Sequence, residues 1–196
     1  MTKENLLKAL AENGYNVGFG AKKSFASFDI VTKLPSWVSF IILSIGILQL
    51  GYPHLATKAI SIVLILVSIA IIFLGFYTSS ASDFEVAGKH ATDCFYKLRN
   101  LYYKVQSSTN PIYTNEVAEM NQIMADFSSK TISRQVFLSH WYAHFKFFYE
   151  MQIDWIDEQL NFRFFKDKFP NSLKTALSII LIIVLTLLVN EYFRNI

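Results

Sequence analysis

Two stretches of the chain lose their charged positions altogether, and the remaining sequence is organised around them. No charged residue falls between Leu34 and Thr57 or between Ala59 and Ser82; Val38–Leu50 reads VSFIILSIGILQL, and Ile60–Tyr77 is almost wholly apolar. A hydrocarbon core of about 30 Å needs roughly 20 helical residues, and both stretches meet that length. Between them Gly51-Tyr52-Pro53-His54 carries turn chemistry. The pattern predicts an antiparallel transmembrane hairpin over 35–82, with helices at 35–54 and 58–79. A third apolar block, Thr175–Asn190, has 16 charge-free residues, about 24 Å of helix. Leu173 can extend it and Lys174 can snorkel, so a third span is expected over 173–191. It has no polar face, which argues against a helix lying in the headgroup region.

Elsewhere the apolar residues return at helical intervals. Residues 1–34 read as an amphipathic arm on the cytoplasmic side, and 83–170 as an aqueous helical lobe. Phe84, Ala87, Ala91, Phe95, Leu98, Leu101 and Val105 keep a three-or-four spacing, which predicts that the second span continues as one long helix into the lobe. Ser107-Ser108-Thr109-Asn110-Pro111 ends it. Val117, Met120, Ile123, Met124 and Phe127 mark a shorter helix. Ser133 is placed to cap a long final helix reaching about Lys166, rich in aromatic residues from Phe137 to Phe165. Several aromatic residues fall on more than one face, which implies packing on more than one side. The fold class is therefore an all-α membrane protein: hairpin, cytoplasmic lobe and C-terminal third span.

Small and polar residues within the hairpin are ordered rather than scattered. Ser61, Ser68, Gly75 and Ser82 recur every seven residues, while Ser39, Gly46, Gln49 and Pro53 fall within about 80° of one another at 100° per residue. Such stripes let helices approach closely in lipid. They either hold the hairpin together or face neighbouring subunits or a water-filled path; both readings stand at the level of sequence. With no charged residue in either span, a proton relay, a voltage sensor and a fixed ion site are disfavoured. The chain is also short for the paired repeats of a secondary transporter.

Composition and charge narrow the classes further. Charged residues make up 17% of the chain and hydrophobic ones 53%, against about 25% charged in an ordinary soluble domain. The formal charge of +3 and the interleaving of acids with bases give no one-sided basic patch, so nucleic acid is not an expected partner. One cysteine, Cys94, precludes an internal disulfide. Five lysines precede the first apolar block, too long a lead for a cleaved signal, so that block is expected to remain as an anchor. Five lysines in the N-terminal segment and ten basic residues over 79–172, against Lys58 in the turn and Arg194 in the tail, put the N-terminus and lobe in the cytoplasm.

Chemistry-bearing residues are few. His140 and His144 are four apart, as are His90 and Cys94, and together they could supply four ligands to a zinc ion. No CxxC or HExxH motif anchors that set, so packed or solvated side chains are the plainer reading and no metal or other cofactor is expected. Glu150, Asp154, Asp157 and Glu158 contain two i,i+4 acidic pairs beside Lys146, Arg163 and Lys166, and read as a solvated face. There is no P-loop, no GxSxG and no nucleophile beside a base. Gly18 and Gly20 do not open a βαβ unit. No catalytic residue is identified, and enzyme activity is not expected.

The stretch Gly14-Tyr-Asn-Val-Gly-Phe-Gly-Ala-Lys-Lys23, with Phe25–Ile30 and Leu34-Pro35 before the hairpin, resembles the SLATT domains of bacteria, the SMODS- and SLOG-associating two-transmembrane effector domains. So does the run after the hairpin: Phe84, Ala87, His90, Ala91, Tyr96, Leu98, Leu101 and Tyr102. The resemblance covers roughly residues 5–190. It implies an effector of a conflict or anti-phage system in the bacterial inner membrane. Such an effector would form a homo-oligomer and perforate the bilayer when a nucleotide-second-messenger synthase or sensor activates it. The family supplies no catalytic residues. The alternatives are a membrane adaptor whose lobe docks a cytoplasmic partner and, third, a membrane-bound metalloenzyme.

Overall fold

The first helix, α1 (Lys3–Thr32), runs through the aqueous lobe instead of lying beside it as an arm. In the computed structural model, which describes residues 1–194 and side chains as far as Asn190, Leu6, Leu10, Ala11, Val17, Ala21, Ile30 and Val31 of α1 are buried. Their three-and-four spacing makes one broad apolar face. That face packs against α4 (Ala81–Ser107), and α6 and α7 cover its other side. Residues 1–34 are therefore structurally part of the lobe. Their five lysines mark only the solvated side, and the buried side is built from small and aliphatic residues.

Close approach makes this core. A methyl group at Gly14 would come 2.2 Å from Trp155 Cη2, and one at Gly18 would come 2.9 Å from the Phe95 ring. The glycines at positions 14 and 18 thus admit two aromatic rings against the α1 backbone, the role that small residues play at tight helix contacts. Phe95, Tyr102, Phe147 and Trp155 complete a core sealed from solvent. The apolar positions expected on the post-hairpin helix, from Phe84 to Val105, are buried throughout. α5 (Thr114–Ser129) folds back on α4, and its Met120 and Ile123 are buried.

Two expected helices are interrupted. The second span, α3 (Lys58–Gly75), does not run straight into α4. Residues 76–80 form tight turns in which Tyr77 N–H donates to Leu74 O and Ser80 N–H to Tyr77 O, each at 3.0 Å. Gly75 and Thr78-Ser79-Ser80 favour this, because Gly is entropically costly in a helix and hydroxyl side chains compete for backbone hydrogen bonds. The long final helix is three short ones: α6 (Ser139–Glu150), α7 (Asp154–Leu160) and α8 (Phe164–Asp167). Ser133 caps none of them. Leu138 adopts a left-handed conformation (φ 68°) just before α6, and Asn161 does so (φ 51°) just after α7. Asn tolerates that region; for Leu it is unusual and is imposed by the surroundings. The segment before α6 is pinned to α1, where Ser27 Oγ donates to Gln135 Oε1 at 2.7 Å and Val136 is buried beside Ile30 and Val31.

Continuity is found at the other leg of the hairpin. α2 (Leu34–Gly51) follows α1 with only Lys33 between them, and Lys33 keeps right-handed helical angles. Lys33 N–H donates to Asp29 O and Trp37 N–H to Lys33 O. Pro35, lacking an N–H, accounts for the gap in the ladder between those two bonds. The third apolar block is α9 (Asn171–Arg194), long and apolar enough to span from Asn171 to Asn190, with none of that stretch buried. Among the described residues there is no strand. The Arg194 side chain, counted above for orientation, lies outside the described ones.

Candidate functional site

The hairpin presents two kinds of surface. Along α3, Ile60, Ser61, Leu64, Ser68 and Ile71 are half-buried, and so are Val38, Ile42, Ile45, Gly46 and Gln49 of the neighbouring α2. Ser61, Ser68, Gly46 and Gln49 are thus the half-buried members of the two stripes. Ser68 Oγ donates to Leu64 O at 2.8 Å, so its hydroxyl is satisfied within its own helix. Gln49 Nε2 donates to Leu55 O at 2.8 Å and closes the turn, where Pro53–Leu55 form a single 3₁₀ turn.

Ser39, Gly75 and Ser82 are exposed. Ser82 lies beyond the interruption at 76–80, so the seven-residue repeat does not continue along one helix. A methyl group at Gly46 or Gly75 would meet no atom within 4 Å. Unlike Gly14 and Gly18, these two glycines make no close contact within the chain. Around them the apolar residues are exposed in quantity, with Phe40, Leu43, Ile47, Leu66, Ile72 and Phe73 each 60% exposed or more.

Where the lobe meets the hairpin, charge is buried. Asp29, in the last turn of α1, pairs with Lys146 of α6 and with Lys33 at 2.6 Å. Burial alone would raise the Asp29 carboxyl, but hydrogen bonds and charge from Lys146 and Lys33 overcome it and hold the carboxyl below its ordinary range. Lys146 also sits 4.6 Å from the Tyr142 ring centroid.

The histidines and the cysteine do not converge as one ligand set. His90 and Cys94 of α4 meet Asp126 of α5, with ligand atoms within 4.8 Å of one another, and that group includes neither His140 nor His144. Burial pushes the Cys94 thiol above its ordinary value, and the Asp126 charge adds to the shift. His140 and His144 meet each other and Phe19 edge-on, and His144 lies tilted against Phe148. Burial lowers His144 to about 4, with a smaller contribution from His140, and its Nδ1 has no partner among the described residues. Both histidines belong to the wall of an open 440 Å³ recess that also includes Pro170 and Asn171 at the foot of α9.

The acidic patch is divided. Glu150 ends α6 and Asp154 begins α7, so they do not share a helix face. Asp157 accepts from Phe162 N–H at 2.7 Å, and Glu158 accepts from Tyr102 O–H at 3.1 Å, so both carboxylates serve the fold. Sequence reasoning missed Asp126 as the neighbour of His90 and Cys94, because the residues are 32 or more positions apart and no short motif links them. It also missed Asp29 and Lys146, whose types look like ordinary surface charges. No curated protein and no solved structure matches the chain. A family model described as SMODS and SLOG-associating 2TM effector domain 6 matches residues 1–177.

Proposed function

Because the chain belongs to the family of SMODS and SLOG-associating 2TM effector domains, we propose that it is a membrane effector of a bacterial conflict system that self-associates and perforates the inner membrane. The hairpin supplies the assembling surface, with the N-terminus and lobe on the cytoplasmic side. The lobe receives the trigger, from a nucleotide-second-messenger synthase or sensor acting as partner. The observation that carries this reading is the exposure of Gly75 and Ser39, and the open space at Gly46, on otherwise apolar helices. In lipid, small residues are the usual means by which helices of different subunits approach. Without a charged residue in either span, a pore lined by these helices would show weak ionic selectivity.

The test is membrane potential and dye leakage in cells producing the chain, alone and with its trigger. Depolarisation coincident with self-association supports the proposal. An unchanged potential under every triggering condition, with the protein in the membrane, favours the second reading, an adaptor whose lobe docks a cytoplasmic protein. That reading draws on the exposed aromatic side chains of the lobe: Phe137 is 81% exposed and Phe165 78%.

A further inference from the structure

We infer that His90, Cys94 and Asp126 form a zinc site that clamps α5 onto α4. His90 and Cys94 lie one turn apart on α4, so both side chains point to the same neighbour. α5 runs antiparallel to α4, as the contacts Lys104–Glu119 and Cys94–Asp126 occur in opposite order along the two helices. Asp126, near the end of α5, is thereby set opposite the pair. Cys94 is fully buried, the His90 side chain is 14% exposed and the Asp126 side chain 41% exposed. An ion can therefore enter from the Asp126 side and reach a thiol otherwise shut away.

The donor groups lie close to the spacing the ion needs. Cys94 Sγ is 3.7 Å from His90 Nε2 and 3.8 Å from Asp126 Oδ2, and His90 Nε2 is 3.5 Å from Asp126 Oδ1. A tetrahedral zinc with bonds of about 2.1 Å to N and O and about 2.3 Å to S spaces its ligand atoms roughly 3.4 to 3.6 Å apart. The two carboxylate edges fall on different oxygens, and with one donor atom per residue the set lies within 4.8 Å, so a turn of the half-exposed Asp126 side chain must bring one oxygen toward both partners. One sulfur, one imidazole and one carboxylate suit zinc; magnesium and calcium prefer all-oxygen sets. Three protein ligands leave the fourth position to water.

Binding has a stated cost. His90 Nε2 also lies 3.1 Å from the Asp126 carbonyl oxygen, a contact that must be given up for the nitrogen to offer its lone pair. As the S–Zn bond forms, the Cys94 proton leaves to solvent, and no group is oxidised or reduced.

The test uses the full chain, untagged and in detergent, titrated with zinc and separately with cobalt. Zinc should bind with one ion per chain and raise the melting temperature, while magnesium and calcium should not. The cobalt form should show a thiolate-to-cobalt charge-transfer band, which can come only from Cys94, the single cysteine. Cys94→Ser should abolish that band. Asp126→Asn, a half-exposed and nearly isosteric change that leaves the core intact, should weaken zinc binding by more than about 100-fold, beyond the usual loss of an outer-shell partner. Glu119→Gln should bind zinc as the native chain does. Absence of the band in the native chain, or zinc retained at native affinity by Asp126→Asn, overturns the site.

Discussion

Asp29 and Lys146 form an ion pair nearly sealed from solvent, their side chains only 12% and 14% exposed, at the place where α1 leaves the lobe for the membrane. Removing one partner leaves the other, partly buried charge short of a contact, which costs about 1–3 kcal/mol, less for Asp29 because Lys33 still pairs with it. Lys146→Met and Asp29→Asn should each lower the melting temperature in detergent, and the double variant should recover part of the loss. Additive losses would show that the pair is not coupled.

The same pair sets a pH dependence. The folded Asp29 carboxyl titrates below its ordinary value of 3.8. The stability it contributes is therefore present above that value and is lost as pH falls below it, toward the folded value. Acid melting curves of the native chain should steepen below about pH 4. Asp29→Asn should remove that part of the slope, and an unchanged acid limb would contradict the assignment.

His144 acts in the opposite charge sense and in a higher window. Its neutral form is favoured by burial, with the folded value at about 4 against 6.5 ordinarily. Its stability contribution is complete above pH 6.5 and declines as pH falls toward 4, because the unfolded chain takes up the proton first. Imidazole resonances should show His144 still neutral at about pH 5.5. A His144 titrating near its ordinary value would mean that the ring is solvated.

Glycines at two places should respond to different degrees. Gly14→Ala drives a methyl into Trp155 and should cost about 1–3 kcal/mol as overpacking. Gly75→Leu has open space for its Cβ in the single chain and should lower the melting temperature less than Gly14→Ala does. If Gly75 and Ser68 face other subunits, Gly75→Leu and Ser68→Leu should alter cross-linking or toxicity more than Leu66→Ala does. Equal effects of the three would remove the stripe as the assembling surface.

How much of this was legible along the chain differs by element. The apolar runs and the Phe84–Val105 spacing identified spans and core, since burial in lipid or in a helix interface leaves a periodic trace. The interruption at Leu138 left little trace, because it is settled by tertiary contacts such as Ser27 with Gln135, whereas Gly75, Thr78-Ser79-Ser80 and Asn161 are local turn formers set within longer periodic runs. The glycine-containing stretch Gly14–Lys23 carried the family resemblance, yet its physical use, room for Trp155 and Phe95, emerges only once α7 and α4 are folded against it. For the metal triad, two ligands were visible as an i,i+4 pair, and the third depended on how α5 returns.

The two legs of the hairpin are fastened to the lobe by unlike joints. α1 passes into α2 through one residue in helical geometry, while α3 reaches α4 through the tight turns of 76–80. The second joint is itself packed, since Leu74, Tyr77 and Ala81 lie against the cluster of Ile30, Val31 and Phe84, so both legs are held where they leave the lobe.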